Sequence, residues 1–373
     1  MMSFSFHHKF SNYIAPTYHG MTFKQWMKIL SDERYRIDWP YFYRLIPTTF
    51  KSCANSILAP LERYKYQTRY QDIEIKPPIF ILGHWRSGTT FLQNLLANDL
   101  RFAYPNLYQV TNPATFLLSE ETLITRFFSI FVPKNRLFDD VPFGLKAPHE
   151  DEFIAWHSSG LTPCMAWNFP DSFNHFDRYL SFKNCSPNEI NEWRDNLIIF
   201  LKKLTYKYNK QIVLKSPTHT ARIKLLLELF PTARFIHIYR NPYRVYQSTK
   251  KLHEFVYSLC TFQKFDPAII HSRIINQYKE MYDLYLKEKE LLSENQLVEI
   301  KFETFEKEPL RTLELIYSEL NLPAFDNTKD RMISYLSQIN NHRKNNYPDL
   351  EQSLKDEIYE SWKRNFLMWG YER

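Results

Sequence analysis

The sequence predicts an α/β protein, a parallel sheet flanked by helices with extra helical decorations. Two observations predict it. Short, largely apolar runs at 79–82, 211–214 and 234–239 have the look of strands covered on both faces. Each run ends in a polar turn carrying a cation (Arg86, Lys215 or Arg240), and a helical pattern follows. Parallel strands joined by helices leave their ligands outside the carboxyl ends of the strands, where all three cations fall.

The chain has 373 residues, of which 44% are hydrophobic and 17% aromatic, enough for a sizeable core. We expect one main domain, 76–373, preceded by a helical extension, 1–75. The net charge of +7 suits an anionic ligand, a nucleic acid or an anionic membrane surface without choosing among them. Cys53, Cys164, Cys185 and Cys260 are scattered without metal-ligand spacing, as in reduced thiols of a cytoplasmic protein. No apolar run reaches the length of a membrane span, and no secretory signal is expected. The longest apolar run, 123–132, is broken by Arg126; it fits a buried helix, a binding-site wall or a membrane-surface contact.

In the extension, Phe23, Trp26, Met27 and Leu30 form one stripe of an amphipathic helix, and a second helix is expected over 52–66. Lys65, Arg69 and their tyrosine neighbours read as a solvated face, with nucleic-acid contact as the alternative. The first strand then runs into Gly83-His84-Trp85-Arg86-Ser87-Gly88-Thr89-Thr90. Two of the six glycines in the chain bracket four residues here. This is the frame of a P-loop NTPase-like phosphate cradle, with backbone amides at a helix start facing an anion. Nucleotide triphosphatases place lysine after the second glycine; here Thr89 stands there, and Arg86 supplies the cation instead. The arginine fork suits phosphate or sulfate oxygens.

A helix is expected over 113–131. Pro148-His149-Glu150-Asp151-Glu152 has the composition of a helix N-terminus, and Glu150 can also serve as a proton acceptor. Ser186-Pro187-Asn188-Glu189 is a capping box opening a long helix to about residue 208. Lys215-Ser216-Pro217-Thr218-His219 follows the second strand; His219 is a base or a cap of the next helix. Arg240-Asn241-Pro242 follows the third strand, and Ser248 lies about two helical turns further on, so both can face one phosphate. His237, inside the strand, reads as a core histidine. A strand, an acidic loop and a helix are expected over 297–320. A basic loop, Asn341-His342-Arg343-Lys344-Asn345-Asn346, precedes the last helix.

Gly-His-Trp-Arg-Ser-Gly-Thr-Thr resembles the 5′-phosphosulfate loop of sulfotransferases that use 3′-phosphoadenosine 5′-phosphosulfate (PAPS), in the arginine form of bacterial and tyrosylprotein enzymes. The segment from Phe235 to Ser248 is similar to their 3′-phosphate motif, and the resemblance covers roughly residues 76–347. It implies transfer of a sulfonate group from PAPS to an acceptor hydroxyl, with an amine as second choice, and no metal. It further implies that Arg86, Ser87, Gly88, Thr89 and Thr90 hold the phosphosulfate. Arg240 and Ser248 would take the 3′-phosphate, with Arg343 and Lys344 above it. Lys215 would neutralise the leaving oxygen, and Glu150 or His219 would accept the proton. The resemblance does not name the acceptor. The abundance of Phe, Tyr and Trp, including Trp156 and Trp167, permits a lipid, phenolic or other apolar small molecule; nucleic acid is not expected, and peripheral membrane contact stays open. The rivals are an ATP-dependent P-loop kinase and a non-catalytic module binding nucleic acid or membrane.

Overall fold

The computed structural model describes residues 20–123, 125–126, 144–339 and 347–373. Among them lies one five-stranded, all-parallel sheet of β1 (Ile79–Leu82), β2 (Phe102–Ala103), β3 (Gln211–Lys215), β4 (Arg234–Tyr239) and β5 (Leu297–Lys301). The strand order is β2-β3-β1-β4-β5. The chain leaves β1 for one side of the sheet and later crosses to the other. The carboxyl end of β1 is therefore a topological switch point, where open α/β sheets form their ligand crevice.

Strand alternation divides the core in two. Phe80, Leu82, Ile212, Leu214 and Phe235 face one layer of helices. Ile79, Ile81, Val213, Ile236, Ile238, Val298 and Ile300 face the other, where Leu92, Leu95, Leu96, Leu313 and Ile316 cover them. Both faces are dry, which explains the unbroken apolar runs.

Register sets the three cations at one edge. Ile81 lies opposite Lys215 and Leu82 opposite His237, so the ends of β1, β3 and β4 open side by side. The helices after them span Thr89–Leu96, Ile223–Leu229 and Pro242–Cys260. The capping box forms as expected: Ser186 Oγ accepts from the Glu189 amide, and Glu189 accepts from the Ser186 amide, at the start of the Pro187–Tyr208 helix.

Several expectations needed correction. In the Phe23–Leu30 helix, Trp26 and Ile29 are the buried pair, while Phe23 and Leu30 stay exposed. The second helix is longer, Leu45–Tyr70. A single helix does not run from 113; Phe116–Ser119 is one short turn, and most of 123–132 lies outside the described residues. The acidic stretch after β5 is a helix, Phe302–Lys307. His237 is fully buried in β4 and stacks on Tyr285, with Glu299 at 3.3 Å.

Candidate active site

The turn after β1 is built by conformation before chemistry. Gly83, Arg86 and Gly88 all have positive φ, at 140°, 70° and 106°. A Cβ on Gly83 would lie 2.4 Å from the Ile238 carbonyl oxygen, and one on Gly88 would lie 2.3 Å from the Phe302 ring. Only glycine fits at either place. Ser87 closes the turn, both its amide and its hydroxyl donating to the His84 carbonyl at 3.1 and 2.7 Å. Thr220 Oγ1 accepts from the Gly83 amide at 2.7 Å, and Tyr282 accepts from the His84 amide at 3.2 Å. Burial pushes the His84 imidazole down to about 4, so the ring is neutral and its Nδ1–H donates to the Trp85 carbonyl. Gly88 caps the Thr89–Leu96 helix, and Phe91 is the first residue whose amide returns to the Gly88 carbonyl. The amides just before it precede every intrahelical acceptor and form an anion-facing end.

The two motifs that are far apart in sequence meet here. Arg86 Nε donates to Ser248 Oγ at 2.8 Å, and Arg240 donates to the Arg86 carbonyl at 3.1 Å. The Arg240 guanidinium lies 4.2 Å from the Phe302 ring centroid, the same ring that excludes a side chain at Gly88. Burial lowers the Arg240 guanidinium below its ordinary value; Glu303 and Glu306 oppose that, and Arg86 adds to it. Tyr347 donates to Ser248 Oγ at 2.9 Å, a contact the sequence did not suggest. Arg343 and Lys344 lie outside the described residues.

On the β3 side, three successive carboxylates face three partners. Lys215 Nζ contacts Glu150 at 2.6 Å and Thr90 Oγ1 at 3.4 Å. The Lys215 side chain is almost fully buried, whereas the Glu150 side chain keeps 19% exposure and stays reachable. Asp151 holds His219 Nε2 at 2.5 Å and accepts from Ser216 Oγ. Glu152 takes a two-pronged contact from Arg222 at 2.7 and 3.0 Å and a bond from Thr218. Burial would raise the Asp151 and Glu152 carboxyls, but His219 and Arg222 respectively outweigh it and hold both below the usual range. His219 is 1% exposed, packed edge-on against Phe80, so it is sealed from the crevice that Glu150 borders. The sequence singled out Glu150 and His219 but missed Asp151, Glu152 and Arg222. Lys215, His219 and Arg222, set opposite a run of three acids, were the signal available.

The structure therefore gathers Arg86, Thr90, Lys215, Glu150, Arg240 and Ser248 around the carboxyl ends of β1, β3 and β4. Trp156 and Trp167, two of the aromatics that permit an apolar acceptor, are core residues packed on each other, and Trp156 donates to Asn168. A profile described as "Sulfotransferase family" matches residues 77–327. The chain belongs to the sulfotransferase family. It is an enzyme of sulfonate transfer, which sets the kinase and the non-catalytic module aside. It is 32% identical over 367 residues to the omega-hydroxy-beta-dihydromenaquinone-9 sulfotransferase Stf3 of Mycobacterium bovis and of Mycobacterium tuberculosis, covering 98% of this chain and 94% of theirs. Its fold is that of sulfotransferase STF9 from Mycobacterium avium (TM-score 0.70, 18% identity, 92% of this chain and 89% of that one). Sulfotransferase STF1 from Mycobacterium tuberculosis H37Rv is also similar (TM-score 0.65, 16% identity, 90% and 88%).

Proposed function

We propose that this sulfotransferase takes its sulfonate group from PAPS and delivers it to a hydroxyl on an apolar, lipid-like acceptor. The observation that carries this reading is the position of Lys215, between Thr90 of the glycine-framed turn and the reachable carboxylate Glu150. The residues fit the donor. Gly83 and Gly88 hold the turn in the positive-φ backbone that leaves helix-start amides unpaired at its mouth, and the Arg240 guanidinium sits on the Arg86 carbonyl of the same turn, a donor set suited to phosphate and sulfate oxygens. Bound PAPS supplies an electrophilic sulfur and a phosphate leaving group.

The chain's own residues do the rest by position and charge. The amides around Gly88 with Arg86 hold the phosphosulfate end. Arg240 and Ser248 bind the 3′-phosphate, with Arg343 and Lys344 as further donors. Lys215 places a positive charge at the departing oxygen. Glu150 accepts the acceptor's proton, a role for which its partial exposure favours it over His219. The acceptor class rests on Stf3, whose name specifies a hydroxylated menaquinone derivative.

The test is thermal stabilisation by the desulfonated product, 3′-phosphoadenosine 5′-phosphate (PAP), beside ATP with Mg²⁺ and plain AMP. A large shift with PAP alone is expected; a shift with ATP and none with PAP would overturn the donor assignment. Lys215→Ala should keep the PAP shift and lose about 10²-fold or more in turnover, and full activity would remove its role.

A further inference from the structure

The Leu45–Tyr70 helix is turned inside out. Its buried residues are Thr48, Ser52, Asn55 and Glu62, all polar, and Tyr70 at its last turn. Each of the four polar ones has a partner: Thr48 and Ser52 donate to the carbonyls of Arg44 and Thr49, Asn55 donates to the Met21 carbonyl, and Glu62 pairs with Lys203 at 2.6 Å. The opposite face is apolar and open. Ile46 is 74% exposed, Phe50 79%, Ile57 67% and Tyr64 91%, with Leu61 at 52%. At helical spacing these fall in a stripe about 60° wide and roughly 27 Å long. Trp39, 80% exposed, extends it at the N-terminal end. Phe23, whose amide donates to Ser56, widens it beside Ile57. Isolated exposed apolar side chains are ordinary, but a continuous stripe on one helix marks an interaction surface.

The charges select the occupant. The only carboxylate of this helix, Glu62, is buried and paired. Its exposed ionic groups, Arg63, Lys65 and Arg69, are all cationic and flank the apolar stripe near one end. Lys65 and Arg69 both lie over the Tyr66 ring, at 5.1 and 5.7 Å. An isologous pair of chains would set like-charged helices against each other in a protein already at +7. An anionic bilayer instead accepts the apolar stripe among its acyl chains and the cations among its headgroups.

We propose that the Leu45–Tyr70 helix docks this enzyme flat on an anionic lipid surface. Trp39, Ile46, Phe50, Ile57 and Tyr64 enter the interface, and Arg63, Lys65 and Arg69 meet headgroup phosphates. The inference does not depend on which acceptor is sulfonated. Flotation of the full chain with phosphatidylcholine vesicles, with and without phosphatidylglycerol, tests it. Binding is expected only with phosphatidylglycerol, weakening as salt rises. The double variant F50D/I57D should no longer float, while its PAP-induced thermal shift, reporting an intact fold, stays as in the parent. R63E/K65E/R69E should bind roughly a hundredfold more weakly. Three results would overturn the proposal: no flotation of the parent chain, flotation unchanged in F50D/I57D, or a dimer in sedimentation velocity that F50D/I57D dissociates without any vesicle binding.

Discussion

Glu150, Asp151 and Glu152 are consecutive, yet the fold divides their work. Successive residues entering a helix point in different directions, so one carboxylate reaches the crevice and two go inward. Glu150→Gln should therefore lower turnover by about 10²- to 10⁴-fold, and because the amide oxygen still accepts from Lys215 at a partly exposed site, it should cost less stability than loss of Glu152. Glu152→Ala should act chiefly on stability. It strands the Arg222 guanidinium, whose side chain is fully buried, and breaking such a pair costs about 3–5 kcal/mol. Steady-state kinetics and chemical denaturation on the same two proteins check both halves. A Glu150→Gln enzyme with parental turnover would transfer the base assignment to another group. Composition alone could not separate the three acids, because helix-start chemistry and catalytic chemistry use the same residue types. What separates them is the spacing of Lys215, His219 and Arg222 along the opposing segment.

Among the elements, the capping box was legible because all its chemistry is local. Ser186, Pro187 and Glu189 need nothing from the rest of the chain to start a helix. Glu189 is held down to about 2. Burial would raise it, but the Ser186 amide, the Tyr179 hydroxyl and the Arg178 guanidinium outweigh burial. A carboxyl depressed in the fold stabilises above its unfolded value and loses that contribution as pH falls. Glu189→Gln should thus be less stable than the parent at neutral pH. The gap should close between the ordinary carboxyl value near 4.5 and about 2, as followed by denaturant titrations across pH. Ser186→Ala should cost about 1 kcal/mol at neutral pH. The Leu45–Tyr70 helix was legible only in part. Periodicity reveals an apolar stripe but carries no sign saying whether it faces core or solvent, and here the polar side took the core. The same ambiguity misplaced Phe23 and Leu30. The helix 302–307 was hidden because its acids suggested a loop, whereas Phe302 and Phe305 anchor it in the core.

At the scale of the whole molecule, the sheet order joins residues that sequence keeps 162 positions apart, Arg86 and Ser248. The strands and their cations could be read from the chain, since dry strands and their polar ends are written in consecutive residues. The closing contacts could not: Phe302 beneath both Gly88 and Arg240, and Tyr347 on Ser248, depend on where β5 and the C-terminal segment pack. This assembly sets the free protein at odds with its ligand. The Arg240 guanidinium donates to the Arg86 carbonyl, feels the Arg86 charge against its own, and is desolvated over an aromatic ring. In its proposed role as a 3′-phosphate ligand, Arg240 is a desolvated cation that costs stability until the phosphate binds. Arg240→Ala should therefore melt at or slightly above the parent temperature without ligand, yet gain far less from PAP. For the parent, PAP at about 100 times its Kd should contribute about 2.7 kcal/mol. Calorimetric scans with and without PAP check the two signs together. A variant that is destabilised alone and stabilised by PAP as fully as the parent would mean that Arg240 serves the fold and not the 3′-phosphate.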